Sequence, residues 1–137
     1  MKVRRKLLTA VAVVAIAGVL WMLANPLGRF GWCRYAYTTF NACPRLISDI
    51  QVRADGTTRK ITKTHELTFD HIEWLLNPKP EVLIIALGWD GVTSPENSIR
   101  DYKGCEVQLL RNKEAIALFN RLKRAGKRVA IHYHSTC

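Results

Sequence analysis

Apolar and polar positions divide the chain into two unlike parts. Residues 7–24, LLTAVAVVAIAGVLWMLA, hold no charged side chain, and Thr9 is their one polar side chain. At ~1.5 Å rise per residue a helix of that length spans ~27 Å, close to the hydrocarbon thickness of a bilayer. Lys2, Arg4, Arg5 and Lys6 precede the stretch, Trp21 falls near its far end at interface depth, and Asn25-Pro26 supplies a helix stop. The pattern predicts a single membrane-spanning helix over residues 7–24 behind a basic flank at residues 1–6. A cleaved signal is the competing expectation, because Ala15-Ile16-Ala17 fits the small-x-small cleavage pattern. Cleavage there would leave the apolar GVLWMLA as a new terminus, which favours retention as an anchor. No lipid-attachment pattern precedes Cys33.

Past the span, the periods are those of a small α/β domain over residues 44–137. A connector at residues 25–43, rich in aromatics (Trp32, Tyr35, Tyr37, Phe40), is expected to pack on the domain or at the membrane interface. Leu46, Ile47, Ile50 and Val52 read as one strand ended by the turn dipeptide Asp55-Gly56, with TTRKITK as the returning strand of a hairpin. Thr68 is a candidate N-cap for FDHIEWLL, stopped at Asn77-Pro78. EVLIIAL, between Pro80 and Gly88, is a continuous apolar run that suits a strand buried on both faces and is expected at the centre of the sheet. Ser94-Pro95 is expected to cap a short helical turn, and CEVQLL gives another strand. KEAIALFNRLKRA carries a helical stripe of Ile116, Leu118, Phe119 and Leu122, with Asn112 as its expected cap and Gly126 at C′. KRVAIHYH returns as a strand. Strands alternating with helices imply right-handed crossovers and a largely parallel sheet.

PEVLIIALGWDG (Pro80 to Gly91), KEAIALFNRLKRAGKRVAIHYH (Lys113 to His134) and the closing Ser135-Thr136-Cys137, in that order and spacing, resemble the Mth938-like domain family. LISD and THELTFDHIEWLL resemble that family's opening strand and first helix. Members include a mitochondrial complex I assembly factor and an adipogenesis-associated Mth938 domain-containing protein. The resemblance covers about Cys43 to Cys137 and implies a compact three-layer α/β domain on a mixed sheet, with no established catalytic residues to carry over. Two departures stand out. Ala86-Leu87-Gly88 replaces the family's Gly-Thr-Gly, so that Leu87 narrows whatever pocket that loop lines elsewhere, and the span has no counterpart in soluble or organelle-targeted relatives. The resemblance and the anchor together make a protein-interaction or assembly factor for a membrane complex the expected role, with a membrane protein as partner.

Composition changes little except in charge. The net charge of +10 includes four cations of the membrane flank; without them 17 Lys and Arg face 11 acidic residues, a balance of +6. Arg121, Lys123, Arg124, Lys127 and Arg128 cluster at a helix end, where the dipole favours cations. No aromatic-interleaved basic groove accompanies them, so no nucleic-acid partner is expected. Four cations before the span, against Arg29 and Arg34 after it, favour an inside N-terminus and an extracytoplasmic domain, periplasmic in a bacterium. The opposite orientation would face the domain to the cytoplasm or matrix. In an oxidising compartment Cys33 and Cys43 are candidates for a disulfide.

For chemistry, Gly88, Trp89, Asp90 and Gly91 follow the EVLIIAL strand, where open α/β sheets bind ligands; a simple tight turn with Trp89 filling the core is the structural alternative. No G-x-G-x-x-G or Walker pattern supports a nucleotide. His132 and His134 sit two apart on one face of a strand, with Cys137 beyond. Cys105 is the only other soft donor in view, so neither a metal nor a cofactor is expected. A nucleophilic Cys137 with His134 as its base is weighed against a plain closure of the last strand. Nothing pairs carboxylates at acid/base spacing, and the reading leans away from an enzyme. Asn120 and Glu106 read as surface groups. The candidate ligand or interaction site is Asp49, Gly88, Trp89, Asp90, His134 and Cys137. A small-ligand binder or thiol-dependent enzyme built on the Gly-Trp loop and the C-terminal His and Cys is the alternative to an assembly role.

Overall fold

The computed structural model describes residues 1–137. Helix α1 (Lys2–Ala24) projects from the body with none of its residues buried, and it is the one helix long and apolar enough to cross a membrane. Its last turn is tied down. The Trp21 indole N–H donates to the Ala42 carbonyl at 3.0 Å, the Trp21 and Trp32 rings meet edge to face at 5.8 Å, and Asn25 Oδ1 accepts the Trp32 N–H at 2.8 Å.

Residues after α1 form an antiparallel meander of β1 (Phe30–Arg34), β2 (Tyr37–Phe40) and β3 (Cys43–Leu46). The remaining strands are β4 (Asp49–Val52), β5 (Thr58–Ile61), β6 (Glu66–Leu67), β7 (Val82–Ala86), β8 (Ser94–Pro95), β9 (Glu106–Leu110) and β10 (Val129–Tyr133). Between them lie α2 (Phe69–Ile72), running into a 3-10 turn at Glu73–Leu76, α3 (Asn97–Arg100) and α4 (Asn112–Arg124). The main sheet has the order β5-β4-β10-β7-β9, and β6 and β8 pair separately.

Several expectations change. The run from Leu46 to Val52 divides into β3 and β4 at Ile47, which has a φ of +53° and is exposed. The sheet is evenly mixed, because β10-β7 and β7-β9 are parallel whereas β4-β10 and β4-β5 are antiparallel. The central strand is β10, not the EVLIIAL strand β7, since β7 has β9 beyond it on one side. Ser94-Pro95 is a short strand, and Glu96 precedes α3 instead.

Side-chain alternation along the buried strands places two cores on opposite faces of the sheet. Val82, Ile84 and Ala86 of β7 with Val129, Ile131 and Tyr133 of β10 join Ile50, Val52, Ala115 and Phe119 on the α4 face. The meander reaches that same core through Phe30 and Phe40, whose rings pack on Phe119 and Tyr133. Leu83, Ile85 and Ala130 face the other way, onto Ile72, Leu75 and Ile99. Asn120, read as a surface group, instead clamps β1 to α4: its Oδ1 accepts the Phe30 N–H at 2.9 Å and its Nδ2 donates to the Phe30 carbonyl at 2.8 Å.

Cys33 and Cys43 are free, as are Cys105 and Cys137, which corrects the expected disulfide. They lie on the two outer strands of the meander, Cys33 opposite Thr38 and Cys43 opposite Phe40 of the intervening β2. Two strand spacings and a two-residue offset along β2 put them roughly 11–12 Å apart, beyond the ~7 Å between Cα atoms that a disulfide tolerates.

Candidate functional site

The carboxyl ends of β7 and β10 lie side by side. From β7 the chain leaves to β9 on one side and then crosses back to β10 on the other, so a switch point opens between them. On β10 and β4 the register pairs Tyr133 with Ile50 and His132 with Gln51; one step further sets His134 against Asp49. Both histidines therefore face away from the aromatic core, as the two-residue spacing predicts. His132 is fully buried, with Nδ1 at 3.1 Å from Gln51 Nε2 and its Nε2 without a partner. Burial outweighs the attraction of Asp49 and pushes its pKa down to about 4.

Asp49 and His134 are 1% and 0% exposed, so their pairing decides whether this edge is stable. His134 Nδ1 lies 2.6 Å from Asp49 Oδ2. Asp49 Oδ1 accepts from the Ser135 N–H at 2.9 Å, the Ser135 hydroxyl at 3.0 Å and Lys63 Nζ at 3.1 Å. Burial raises the Asp49 pKa, but the His134 and Ser135 hydrogen bonds and the Lys63 ammonium outweigh it and hold it at about 2. Since the carboxylate only accepts, His134 carries its proton on Nδ1, which leaves Nε2 facing the Thr136 hydroxyl at 3.3 Å.

The closing segment is held carbonyl by carbonyl. His134 O accepts from Asn112 Nδ2 at 2.7 Å, Ser135 O from the Ala36 N–H at 2.9 Å, and Thr136 O from the Trp89 N–H at 2.8 Å. Asn112, expected to cap α4, is instead wholly buried and also accepts the Gly88 N–H at 3.1 Å; Arg111 takes the cap position. Gly88 has a φ of +96°, and a Cβ there would overlap the Cys137 carbonyl. That glycine is required on both counts.

A family described as "Protein of unknown function (DUF498/DUF598)" matches residues 33–134. The chain belongs to this family. The solved structure titled "MT938" has 29% identity and a TM-score of 0.69, covering 80% of this chain and 98% of that one. The conserved hypothetical protein PH1505 from Pyrococcus horikoshii OT3 has 21% identity and a TM-score of 0.68, covering 80% and 99%, a likeness of fold alone. None of the curated proteins compared with this DUF498/DUF598 chain matches it. The Mth938-like resemblance is thereby borne out, as a mixed α/β fold.

Within this DUF498/DUF598 domain Asp49, Gly88, Trp89, His134 and Cys137 come together. Asp90 is exposed and makes no side-chain hydrogen bond or ion pair, so it stands at the rim. Sequence reasoning missed Lys63, which also reaches Ser135 Oγ at 3.1 Å and Thr136 Oγ1 at 2.9 Å, and His65, whose Nε2 lies 3.2 Å from Cys137 Sγ. Neither sits in a pattern of its own chemistry, although His65 falls within the THELTFDHIEWLL stretch. An open cavity of about 440 Å³ reaches the cluster past Ser48, Asp49 and Lys63. A separate groove of about 540 Å³ runs between β9 and α4, lined by Val82, Leu110 and Leu118.

Proposed function

We propose that this protein is a membrane-anchored interaction module that assists assembly of a membrane complex. One observation carries the reading: no residue of α1 is buried in the body, yet its last turn is fastened to the meander through Trp21 and Asn25. A span so fastened holds the domain in a set orientation on the bilayer rather than on a loose tether. The surface beside the junction is apolar, with Leu27, Trp32, Tyr35, Leu46 and Ile47 exposed, and patches of this kind mark membrane or protein contacts. The charge bias across the span supports an inside N-terminus and an extracytoplasmic domain. The edge cluster of Asp49, Gly88, Trp89, His134 and Cys137, with Asp90 at its rim, is the proposed contact or ligand site.

Intact mass and alkaline extraction of the membrane-derived protein test the anchor. A full-length chain that resists extraction is expected, and a mature chain starting after Ala17 or released by alkali refutes it. Affinity capture in mild detergent should then recover the same membrane-protein partners from wild type and lose them in Trp32→Ala/Tyr35→Ala. Identical recovery from wild type and variant, or background proteins alone, counts against an interaction role.

A thiol-dependent enzyme is the second reading, favoured by the 3.2 Å contact of His65 with Cys137. Alkylation of Cys137 that is no slower in His65→Ala removes its support.

A further inference from the structure

Three potential ligand atoms converge at the carboxyl edge of the sheet. Those of His65, His134 and Cys137 all lie within 4.8 Å of one another. We propose that His65, His134 and Cys137 bind a borderline-soft divalent transition ion, with zinc the best fit, as a three-ligand site with its fourth position open.

The donor set of two imidazoles and a thiolate is one that zinc takes, and three protein ligands plus an exchangeable fourth are the mark of an open site. Tetrahedral coordination with Zn–N of about 2.0–2.1 Å and Zn–S of about 2.3 Å sets ligand atoms roughly 3.3–3.6 Å apart. His65 Nε2 and Cys137 Sγ already stand at 3.2 Å. The rings of His65 and His134 lie 5.1 Å apart, edge to face, and a rotation of the exposed His65 closes the remainder without moving the buried partner.

The surroundings favour a metal over a catalytic dyad. In a thiol-imidazole-carboxylate triad the carboxylate orients the imidazole that touches the sulfur. Here Asp49 orients His134, while His65 contacts Cys137 and no hydrogen bond steadies its Nδ1. A carboxylate fixing Nδ1–H of one histidine, with Nε2 free to ligate, is the usual outer support of a metal-bound imidazole. Metal binding displaces two interactions, the 3.2 Å contact of Cys137 Sγ with His65 Nε2, which loses its shared proton as both atoms become ligands, and the 3.3 Å contact of the Thr136 hydroxyl with His134 Nε2; that hydroxyl keeps Lys63 as its donor. The Lys63 charge is matched by Asp49. The ligands are also well supported: Trp89, Asn112 and Ala36 hold the His134–Thr136 carbonyls, and the Ser94 N–H holds the His65 carbonyl at 2.7 Å.

The proposal departs from the expectation of no metal because His65 lies on another segment, outside the local pattern of His132, His134 and Cys137. It does not depend on the assembly reading, and its test uses no partner.

The full chain, reduced, in detergent and purified without a histidine tag, is titrated with Co²⁺ and then Zn²⁺. One equivalent of Co²⁺ is expected, with thiolate-to-cobalt charge-transfer absorption and the visible bands of a tetrahedral ion, both bleached by Zn²⁺. Cys137→Ser should abolish the charge-transfer band, and His65→Ala should weaken Zn²⁺ binding at least tenfold against a chromophoric chelator. Both positions are outside the buried core, and circular dichroism verifies the fold. Cys43→Ser should behave as wild type. Loss of the carboxylate in Asp49→Asn should weaken binding by about 10–100-fold. No binding, a cobalt spectrum without thiolate character, or titrations unchanged by Cys137→Ser or His65→Ala overturns the site.

Discussion

Replacing Asp49 by alanine removes the centre of the most buried polar cluster. Three donors lose their acceptor: His134 Nδ1–H, the Ser135 N–H and the Ser135 hydroxyl, at 2.6, 2.9 and 3.0 Å. All three belong to buried residues, and each orphaned donor costs roughly 1–3 kcal/mol. Lys63, one-third exposed, turns to water at little cost. The gross loss of about 3–9 kcal/mol is offset by no longer burying a carboxylate, so the net loss is about 3–5 kcal/mol, the range for a broken buried ion pair. Asp49→Asn keeps an oxygen for Ser135 and loses mainly the His134 interaction, about 2 kcal/mol. Urea unfolding of the metal-free chain in detergent, followed by tryptophan fluorescence, measures both. With a slope of about 1.5 kcal/mol/M the midpoint should fall by about 2 M or more for Asp49→Ala and about 1 M for Asp49→Asn. A fall of less than about 0.5 M in Asp49→Ala would mean that water replaces the carboxylate, as at an exposed pair, and would falsify the account of buried donors that depend on Asp49.

Phe30→Ala should destabilise the domain by about 3–5 kcal/mol in the same assay, because its ring is 2% exposed against Phe40, Phe119 and Tyr133; a loss under about 1 kcal/mol would mean that the meander is not part of the cooperative unit. Gly88→Ala should cost about 2 kcal/mol or more from its positive φ and the overlap with Cys137, and should expose the last residues to carboxypeptidase, whereas a resistant tail would refute the close approach. Burial, only partly offset by its hydrogen bond to the Thr39 carbonyl, pushes the Cys33 thiol from 9.0 up to about 11. Cys33 should therefore alkylate about 100-fold more slowly at pH 8 than an unperturbed thiol, and the exposed Cys43 should react first. The folded chain favours the neutral Cys33 thiol, so that contribution to stability is complete below pH 9 and is lost as pH rises from 9 towards 11; equal labelling of the two cysteines at pH 8 contradicts the burial. Impermeant maleimide on intact cells should label Cys43 without prior reduction if the domain faces outward, and labelling that needs lysis reverses the orientation.

Features set by neighbours along the chain were legible in the sequence. The apolar run that became α1, the stripe of α4 with Gly126 after it, the Asp55-Gly56 hairpin and the buried β7 each follow from a period of 3.6 or 2 or from turn chemistry. Alternation along β10 also placed His132 and His134 on one face before any partner was known. Tertiary structure decided which strand is central, how the meander joins the core and which residues complete the site. Asp49 meets His134 across 85 positions, His65 meets Cys137 across 72, and Asn120 meets Phe30 across 90. Local propensity has no term for such contacts: a cap residue such as Asn112 is drawn into the interior because buried backbone groups at the sheet edge require a partner there, and that demand arises only once distant segments have packed.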